Sequence, residues 1–388
     1  MDKRVYLFMV VSFIAGLAEL IIVGLLDVIA DDIGVSLSAA GLLITAFSLT
    51  FAVAAPVLMV ATAAVERKRL MLTTLSIFFV GNVLAALSHT YWLLMTARII
   101  SAASGSLLVV LCITMASTIT APPHRGRAIG LIYMGISASL VLGVPIGIMM
   151  GNIFGWQAPF VAISCFTVMT MLGILVLMPS VHVHDTPSIQ TQWQSLKNSR
   201  LLAAHLTTFL FLAGHYTLYG YLSPYLKNVL ELNETWVTII YWLFGIAAVA
   251  GGAVGGGLSD KWGYKQTIYS VIVLFAVSMF VLPFTTTATT FFLLTVMIWG
   301  AMSWALSPPM QTYLAETYHK TSDIQQSLNN AALHTGIAFG SVSGGLVVEQ
   351  GAIHHTPTVG ALLVLLALGT AVYALAKTST ASYQHSSL

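Results

Sequence analysis

Charge is what this sequence has least of. Only 7% of its 388 residues are Asp, Glu, Lys or Arg, against about 25% in an ordinary soluble domain. That scarcity excludes water as the main solvent. The formal net charge of +2 gives no electrostatic case for nucleic acid. Cysteine is nearly absent, and Cys112 and Cys165 both lie inside apolar runs, which excludes a disulfide framework and a thiolate metal site. A phosphate-cradling G-x-x-x-x-G-K-[ST], a zincin helix and a serine nucleophile elbow are missing as well. Neither a membrane enzyme nor ATP-driven export has a motif to stand on, and no cofactor or metal is expected.

What is present is hydrophobicity, at 57% of residues, arranged in runs of about 20, the number a helix needs to cross a bilayer core of about 30 Å. The first run starts at Val5 behind Lys3 and Arg4 and has the look of a signal peptide. It is too long for one, contains Glu19, lacks a small-residue cleavage site and is followed by many further runs, so it reads as a retained first helix. Apolar stretches set against Gly, Pro and charged breaks predict six spans at 5–27, 38–62, 70–88, 92–119, 127–150 and 157–178. Six more follow at 201–226, 235–258, 266–284, 289–313, 325–348 and 358–377. The expectation is an all-α membrane protein of twelve helices in two halves: an N-terminal bundle over 1–178, a polar interdomain loop over 179–200, and a C-terminal bundle with a short polar tail over 201–388. The loop carries His182, His184, Asp185 and Lys197. Two alternating histidines without further ligands do not make a metal site.

Positive residues near short loops stay on the cytoplasmic side. On a twelve-span topology thirteen of the fifteen Lys and Arg fall on the side of the chain ends, Lys227 falls opposite, and Arg98 lies within a span. Both termini are therefore expected in the cytoplasm. Asp31, Asp32, Glu231, Glu234 and Glu349 fall on or near the outer side. Two six-helix halves form a carrier-like arrangement with alternating access, which weighs against a channel or receptor.

The loop after the eighth span reads Gly256-Gly-Leu-Ser-Asp260-Lys-Trp-Gly263-Tyr-Lys265, a G-x-x-x-D-x-x-G-x-K pattern. Glycine allows a tight turn, and Asp260 is expected to cap a helix or pair with a cation. Its counterpart after the second span, Met59 to Arg69, has no glycine. With Arg67 and Lys68 at the basic end, Ala63 takes the place of the Asp and Met59 that of the first Gly. In the fourth span stands Leu94-Met-Thr-Ala-Arg98-Ile-Ile-Ser-Ala-Ala-Ser-Gly105, and in the fifth Gly135, Gly143, Val144, Pro145, Gly147 and Gly151. Small residues let helices approach closely, and Pro145 removes a backbone donor, so the fifth span can bend or pack tightly.

In this order and on these spans, the segments resemble the signature loop, the intramembrane arginine motif and the antiporter glycine-proline motif of the major facilitator superfamily. The stretches Gly16-Leu-Ala-Glu19-Leu, Leu212-Ala-Gly-His215-Tyr-Thr-Leu-Tyr219, Trp299-Gly-Ala-Met-Ser-Trp304 and Ser322-Asp-Ile-Gln-Gln-Ser327 resemble its bacterial drug:proton antiporter branch. Within that branch they look most like the purine base and nucleoside efflux pumps of Bacillus. The resemblance implies proton-coupled export of purines and their analogues from the bacterial cytoplasmic membrane by a monomer, with a broader drug or sugar exporter as the alternative. The sequence departs from the pattern at Asp27 in place of Pro, Gln157 in place of Arg and His334 in place of Gln, and the first and third of these bear on substrate choice or coupling.

Ionisable groups inside a bilayer cost several kcal/mol unless paired or facing a cavity. Glu19 is about 14 residues into its span, or roughly 21 Å deep at 1.5 Å per residue, and Arg98 enters from the other side by about 6 residues, or roughly 9 Å. In a core of about 30 Å these depths coincide. His215, about 14 residues along the seventh span, reaches the same layer. Glu19 is thus the expected proton carrier, with Arg98 as its cationic partner, against the alternative of a purely structural pair. Asp27 lies nearer the boundary, either in a solvated loop or at a proton entry. The imidazole of His215 suits substrate contact, a proton relay or a plain interhelical bond. Tyr219, Trp299, Trp304, Asn330 and His334 are the remaining substrate-binding candidates of the second half, each open to the alternative of ordinary packing.

Overall fold

The computed structural model describes residues 4–121, 124–179, 198–318 and 321–376. Most of the expected interdomain loop, with His182, His184, Asp185 and Lys197, lies outside the described residues. Backbone N–H and C=O groups find no partners in hydrocarbon, so a spanning segment has to satisfy them internally as a helix. Twelve helices among the described residues are long and apolar enough to cross a membrane. We number them α1 (Val5–Ile33), α2 (Leu37–Ala61), α3 (Arg67–Ala86), α4 (Tyr91–Ile119), α5 (Arg125–Phe154) and α6 (Ala158–Leu177) in the first half. The second half comprises α7 (Ser199–Tyr219), α8 (Glu234–Trp262), α9 (Tyr264–Thr285), α10 (Thr289–Thr317), α11 (Ser322–Glu349) and α12 (Ile353–Ala374). An even number of crossings brings both ends of the chain to one end of the bundle, here called the terminal end. The opposite end is the far end.

The helix ends follow local chemistry. Ser36 caps α2 by accepting from Ala39 N–H, Glu66 caps α3 through Lys68 and Arg69 N–H, and Asn198 and Asn233 cap α7 and α8. These side chains take up the orphan donors of a first helical turn. Gly34, with φ of 72°, closes α1 in a left-handed turn that a side chain would disfavour.

Three predicted boundaries are corrected. α1 runs on to Ile33, because Asp27, Asp31 and Asp32 meet partners or solvent at the helix end and do not break it. α7 stops at Tyr219, and a separate short helix, Leu222–Val229, follows. The stretch from Gly256 to Trp262 belongs to the last turns of α8; only Gly263, with φ of 81°, turns the chain into α9. Asp260 is therefore an exposed helical residue and not a cap. Gly256 has open space beside it, with Pro308 the nearest neighbour, and Lys265 lies 6.0 Å above the Tyr269 ring.

The glycines of α5 act as a packing stripe. A Cβ on Gly135, Gly143, Gly147 or Gly151 would meet Met9, Leu17, Ile21 or Leu25 of α1, contacts repeating every helical turn on the facing helix. Missing side chains let the two helices close to backbone distance, as small residues do where no hydrophobic effect drives association. Between Ala138 and Val144 the helix widens into a π turn, Ser139–Gly143, immediately before Pro145, a place where the proline leaves one carbonyl without its usual donor. Gly245 of α8 presses on this turn with no room for a side chain: its Cβ would stand 3.0 Å from Val141 Cα, inside van der Waals contact. The antiporter-like motif thus serves two contacts, one within the first half and one between halves. Large side chains such as Phe154, Val176, Phe284 and Leu366 point outward, as lipid-facing residues should.

A Cβ on Gly147 would stand 2.2 Å from Ile21 Cδ1, whereas one on Gly130 of the same helix meets nothing within 4 Å. We expect Gly147→Val to destabilise the protein by about 1–3 kcal/mol, the usual cost of overpacking. Gly130→Ala should be neutral or slightly stabilising. Thermal unfolding of the purified protein in detergent compares the two.

Candidate functional site: a buried charge layer between the two halves

Glu19 sits at the middle of α1 with its side chain 18% exposed, so it keeps contact with interior space. Its carboxylate Oε1 lies 3.4 Å from Nδ1 of His334, on α11 of the other half. The two atoms are not aligned as a hydrogen bond, since His334 Nδ1 has no hydrogen-bond partner. On its other side the imidazole packs on Phe51 of α2, ring centres 4.2 Å apart and planes tilted by 30°. His334 is therefore a side chain of the second half lodged between α1 and α2 of the first.

Arg98 occupies the same layer but holds Glu19 differently from the expected ion pair. Its guanidinium donates to the backbone carbonyls of Ala18 and, at 3.2 Å, of Glu19, and lies 4.0 Å over the Phe47 ring. A helical carbonyl has a second lone pair for such a bond, and the aromatic face adds cation–π attraction. Only 1% exposed, Arg98 is a fixed cation clamped to the turn that carries Glu19, near enough to act electrostatically on the carboxylate. Tyr216 of α7 also lies within electrostatic reach of Glu19.

The remaining second-half candidates divide. His215, Tyr219 and Trp299 form one aromatic cluster with Phe244 and Phe275: His215 stacks on Tyr219 at 4.9 Å and lies 5.3 Å from Trp299. Phe244 stacks on both Tyr219 and His215. His215 Nδ1, the Tyr219 hydroxyl and Trp299 Nε1 are all buried without hydrogen-bond partners, an expensive arrangement unless something polar meets them. Trp304 and Asn330 are not part of this cluster; Trp304 is partly buried against the core and Asn330 is exposed. The layer predicted to hold Glu19, Arg98 and His215 thus brings together Glu19 and Arg98, with His334 as the contact of the carboxylate. His215 belongs to the neighbouring aromatic cluster. His205, by contrast, faces Gln325 at 3.3 Å. The apolar hollow between α3 and α6, lined by Phe79, Val83, Val161 and Cys165 among others, lies away from this chemistry.

Toward the far end a run of polar contacts ties the halves together. Asp27 forms a 2.7 Å ion pair with Lys227 and accepts from Ser223 at 2.8 Å, both on the short helix after α7. It is therefore a helical residue in a cross-half pair, not a solvated loop residue. Tyr241 of α8 donates to Val23 O, and Ser341 of α11 donates to Gly41 O of α2 at 2.9 Å. Tyr221 threads between α2 and α11: its hydroxyl donates to Ser341 O, and a Cβ on Gly41, Gly344 or Gly345 would collide with it. The far end is closed by these contacts, in which Tyr221, Ser223 and Tyr241 were not singled out by sequence.

The Major Facilitator Superfamily model matches residues 8–341. The chain belongs to that superfamily. It is 36% identical over 94% of its length to the uncharacterized MFS-type transporter YbcL of Bacillus subtilis, of which 94% is covered. The inner membrane transport protein YdhP of Escherichia coli K12 is 28% identical, with 92% of each chain covered. A probable sugar efflux transporter of Helicobacter pylori P12 is 26% identical over 94% of this chain and 93% of its own. Among solved structures, a bacterial homologue of the human lysosomal transporter Spinster superposes with a TM-score of 0.79 at 13% identity, covering 96% of this chain and 98% of that one. This major facilitator protein is accordingly a multi-pass membrane transporter of twelve spans, not an enzyme.

The far-end closure is testable through its ion pair. Both partners are partly exposed, so losing the pair should cost the closed arrangement about 1 kcal/mol, a roughly fivefold change in its population. We expect Lys227→Met, and more strongly Gly41→Val, which drives a side chain into Tyr221, to lengthen the distance between spin labels at positions 31 and 228.

Proposed function

We propose that this protein is a proton-driven exporter of small molecules that works by alternating access, with Glu19 as the proton carrier and purine bases and nucleosides as its substrates. The observation that carries this reading is the meeting of Glu19, Arg98 and His334 at mid-bundle, on helices of both halves. A carboxyl group there has two competing environments: dehydration disfavours its charge, and the adjacent cation favours it. Rocking one half against the other changes that balance, so protonation and conformation become linked. A group that titrates at the interface, and not inside one half, is what such linkage requires.

Substrate recognition is assigned to the aromatic cluster of the second half. Its stacked rings of His215, Tyr219 and Phe244, and the three unpartnered polar atoms beside them, suit a flat ring that carries donors and acceptors. A second reading, sugar efflux, is favoured by the Helicobacter relative's name, and aromatic faces also serve sugar rings. The one-sided Lys and Arg distribution supports cytoplasmic termini in a bacterial plasma membrane, which makes the far end the outer one. No cofactor is needed, because the proton gradient supplies the energy.

In proteoliposomes with an imposed pH gradient, radiolabelled adenine and hypoxanthine should be driven across the membrane and labelled glucose should not. Glu19→Gln should reduce gradient-driven movement to background and spare exchange of labelled for unlabelled adenine. Gradient-driven transport that survives Glu19→Gln refutes the coupling assignment; glucose moving in place of the purines selects the sugar reading.

A further inference from the structure

We infer that His334 is the second half's proton-dependent partner of Glu19, so that a single proton carried by one or other of the two side chains ties α1 to α11. This rests on the proton-coupled reading above. The usual expectation for a buried acid beside an arginine is that the arginine is its counter-ion. In this protein Arg98 directs Nη1 and Nη2 to the backbone carbonyls of Ala18 and Glu19 and its face to Phe47, with Nε left without a partner, and makes no hydrogen bond to the carboxylate. The group placed against the carboxylate oxygen is His334, at 3.4 Å, and it comes from the other half.

The pair has three protonation states. With one proton the contact is attractive wherever the proton sits, as carboxylate beside imidazolium or as carboxylic acid beside neutral imidazole. With two, a neutral acid faces an imidazolium, and Arg98 adds a second positive charge to the layer. With none, the carboxylate has lost the imidazolium and keeps only Arg98. The tie between halves is therefore strongest in the one-proton state and weakens on both sides of it. Because Phe51 holds the imidazole in its slot between α1 and α2, any rocking that parts α1 from α11 also parts the two groups.

Few other groups can take over this role. Arg98 of α4 and Tyr216 of α7 face Glu19; α2 supplies no titratable side chain. On α7, His205 is turned to Gln325 and His215 into the aromatic cluster. On α10, Tyr313 donates to Ala374 O.

The test places spin labels at Asp31→Cys and Asn228→Cys, both exposed far-end positions, in a Cys112→Ser, Cys165→Ser background reconstituted into liposomes. The far-closed population is read by pulsed dipolar spectroscopy from pH 5 to 9. It should be bell-shaped in the otherwise native protein. His334→Gln and His334→Asn, each checked for folding by gel filtration, should leave one limb of the bell. Glu19→Gln should leave the other, and the double variant should be flat. A bell that persists in both His334 variants overturns the inference, and so does a flat native profile. It is equally overturned if His334→Gln only raises the KM for adenine exchange with its pH profile unchanged, the signature of a plain substrate contact. The expected limbs together with gradient-driven transport intact in Glu19→Gln would uphold the tie and refute the transport reading instead.

Discussion

Everything in this structure follows from the absence of water in the bilayer core. A backbone that must satisfy its own hydrogen bonds becomes a set of stiff helices, and stiff helices locked by close packing move as bodies. The stripe of α5 glycines against α1 shows that locking within the first half: a Cβ on Gly135 would stand 2.3 Å from the backbone oxygen of Met9. At the boundary between halves, hydrogen bonds and the Asp27–Lys227 ion pair join such packing, as where Tyr221 lies against Gly41 and Gly245 against the π turn of α5. Glu19 and His334 meet on this boundary.

The same absence of water makes every buried charge conspicuous. Arg98, at 1% exposure, is tolerated because two carbonyls and an aromatic face replace its hydration. Glu19 is less enclosed, at 18% side-chain exposure, and lies against an ionisable group of the other half, His334. The two residues share one layer of the bundle and differ in what surrounds each. Asp27 shows a third solution, a carboxylate neutralised by Lys227 and a hydroxyl at the far end, where some solvent still reaches both partners.

Composition and spacing made the architecture legible: twelve apolar runs, two halves and a mid-bundle layer containing Glu19 and Arg98 could all be read without coordinates. Pairings across the halves could not, because nothing local in a sequence brings residue 27 to residue 227 or residue 19 to residue 334. Signals existed nonetheless. Lys227 was the one cation on the wrong side, and Asp27 and His334 were departures from the family's usual residues. Asp27 and Lys227 explain each other. His334, placed by sequence among substrate contacts, lies against Glu19. G-x-x-x-D suggests a turn at Asp260, yet α8 continues through Leu258 and Lys261, both good helix formers, to Trp262. Trp304 and Asn330 failed as cluster members for simpler reasons: Trp304 lies more than a turn beyond Trp299 on α10, and Asn330 is on α11, which supplies no ring to the cluster.

Helix α7 joins the two parts of the candidate site. Residues four apart lie on one face of a helix, so His215 and Tyr219 both enter the aromatic cluster, and their rings stack. Tyr216 is turned by about 100° from His215, toward Glu19, while its ring still meets His215 and Tyr219 edge-on. Tyr216 thus touches the aromatic cluster and lies within electrostatic reach of Glu19. At its far end the same helix gives way to Tyr221 and the short helix carrying Ser223 and Lys227. The aromatic cluster, the tyrosine neighbour of Glu19 and the far-end closure thus draw on one stretch of chain, from residue 215 to residue 227, in which α7 ends at Tyr219 and the chain turns at Gly220 and Tyr221 before the short helix begins.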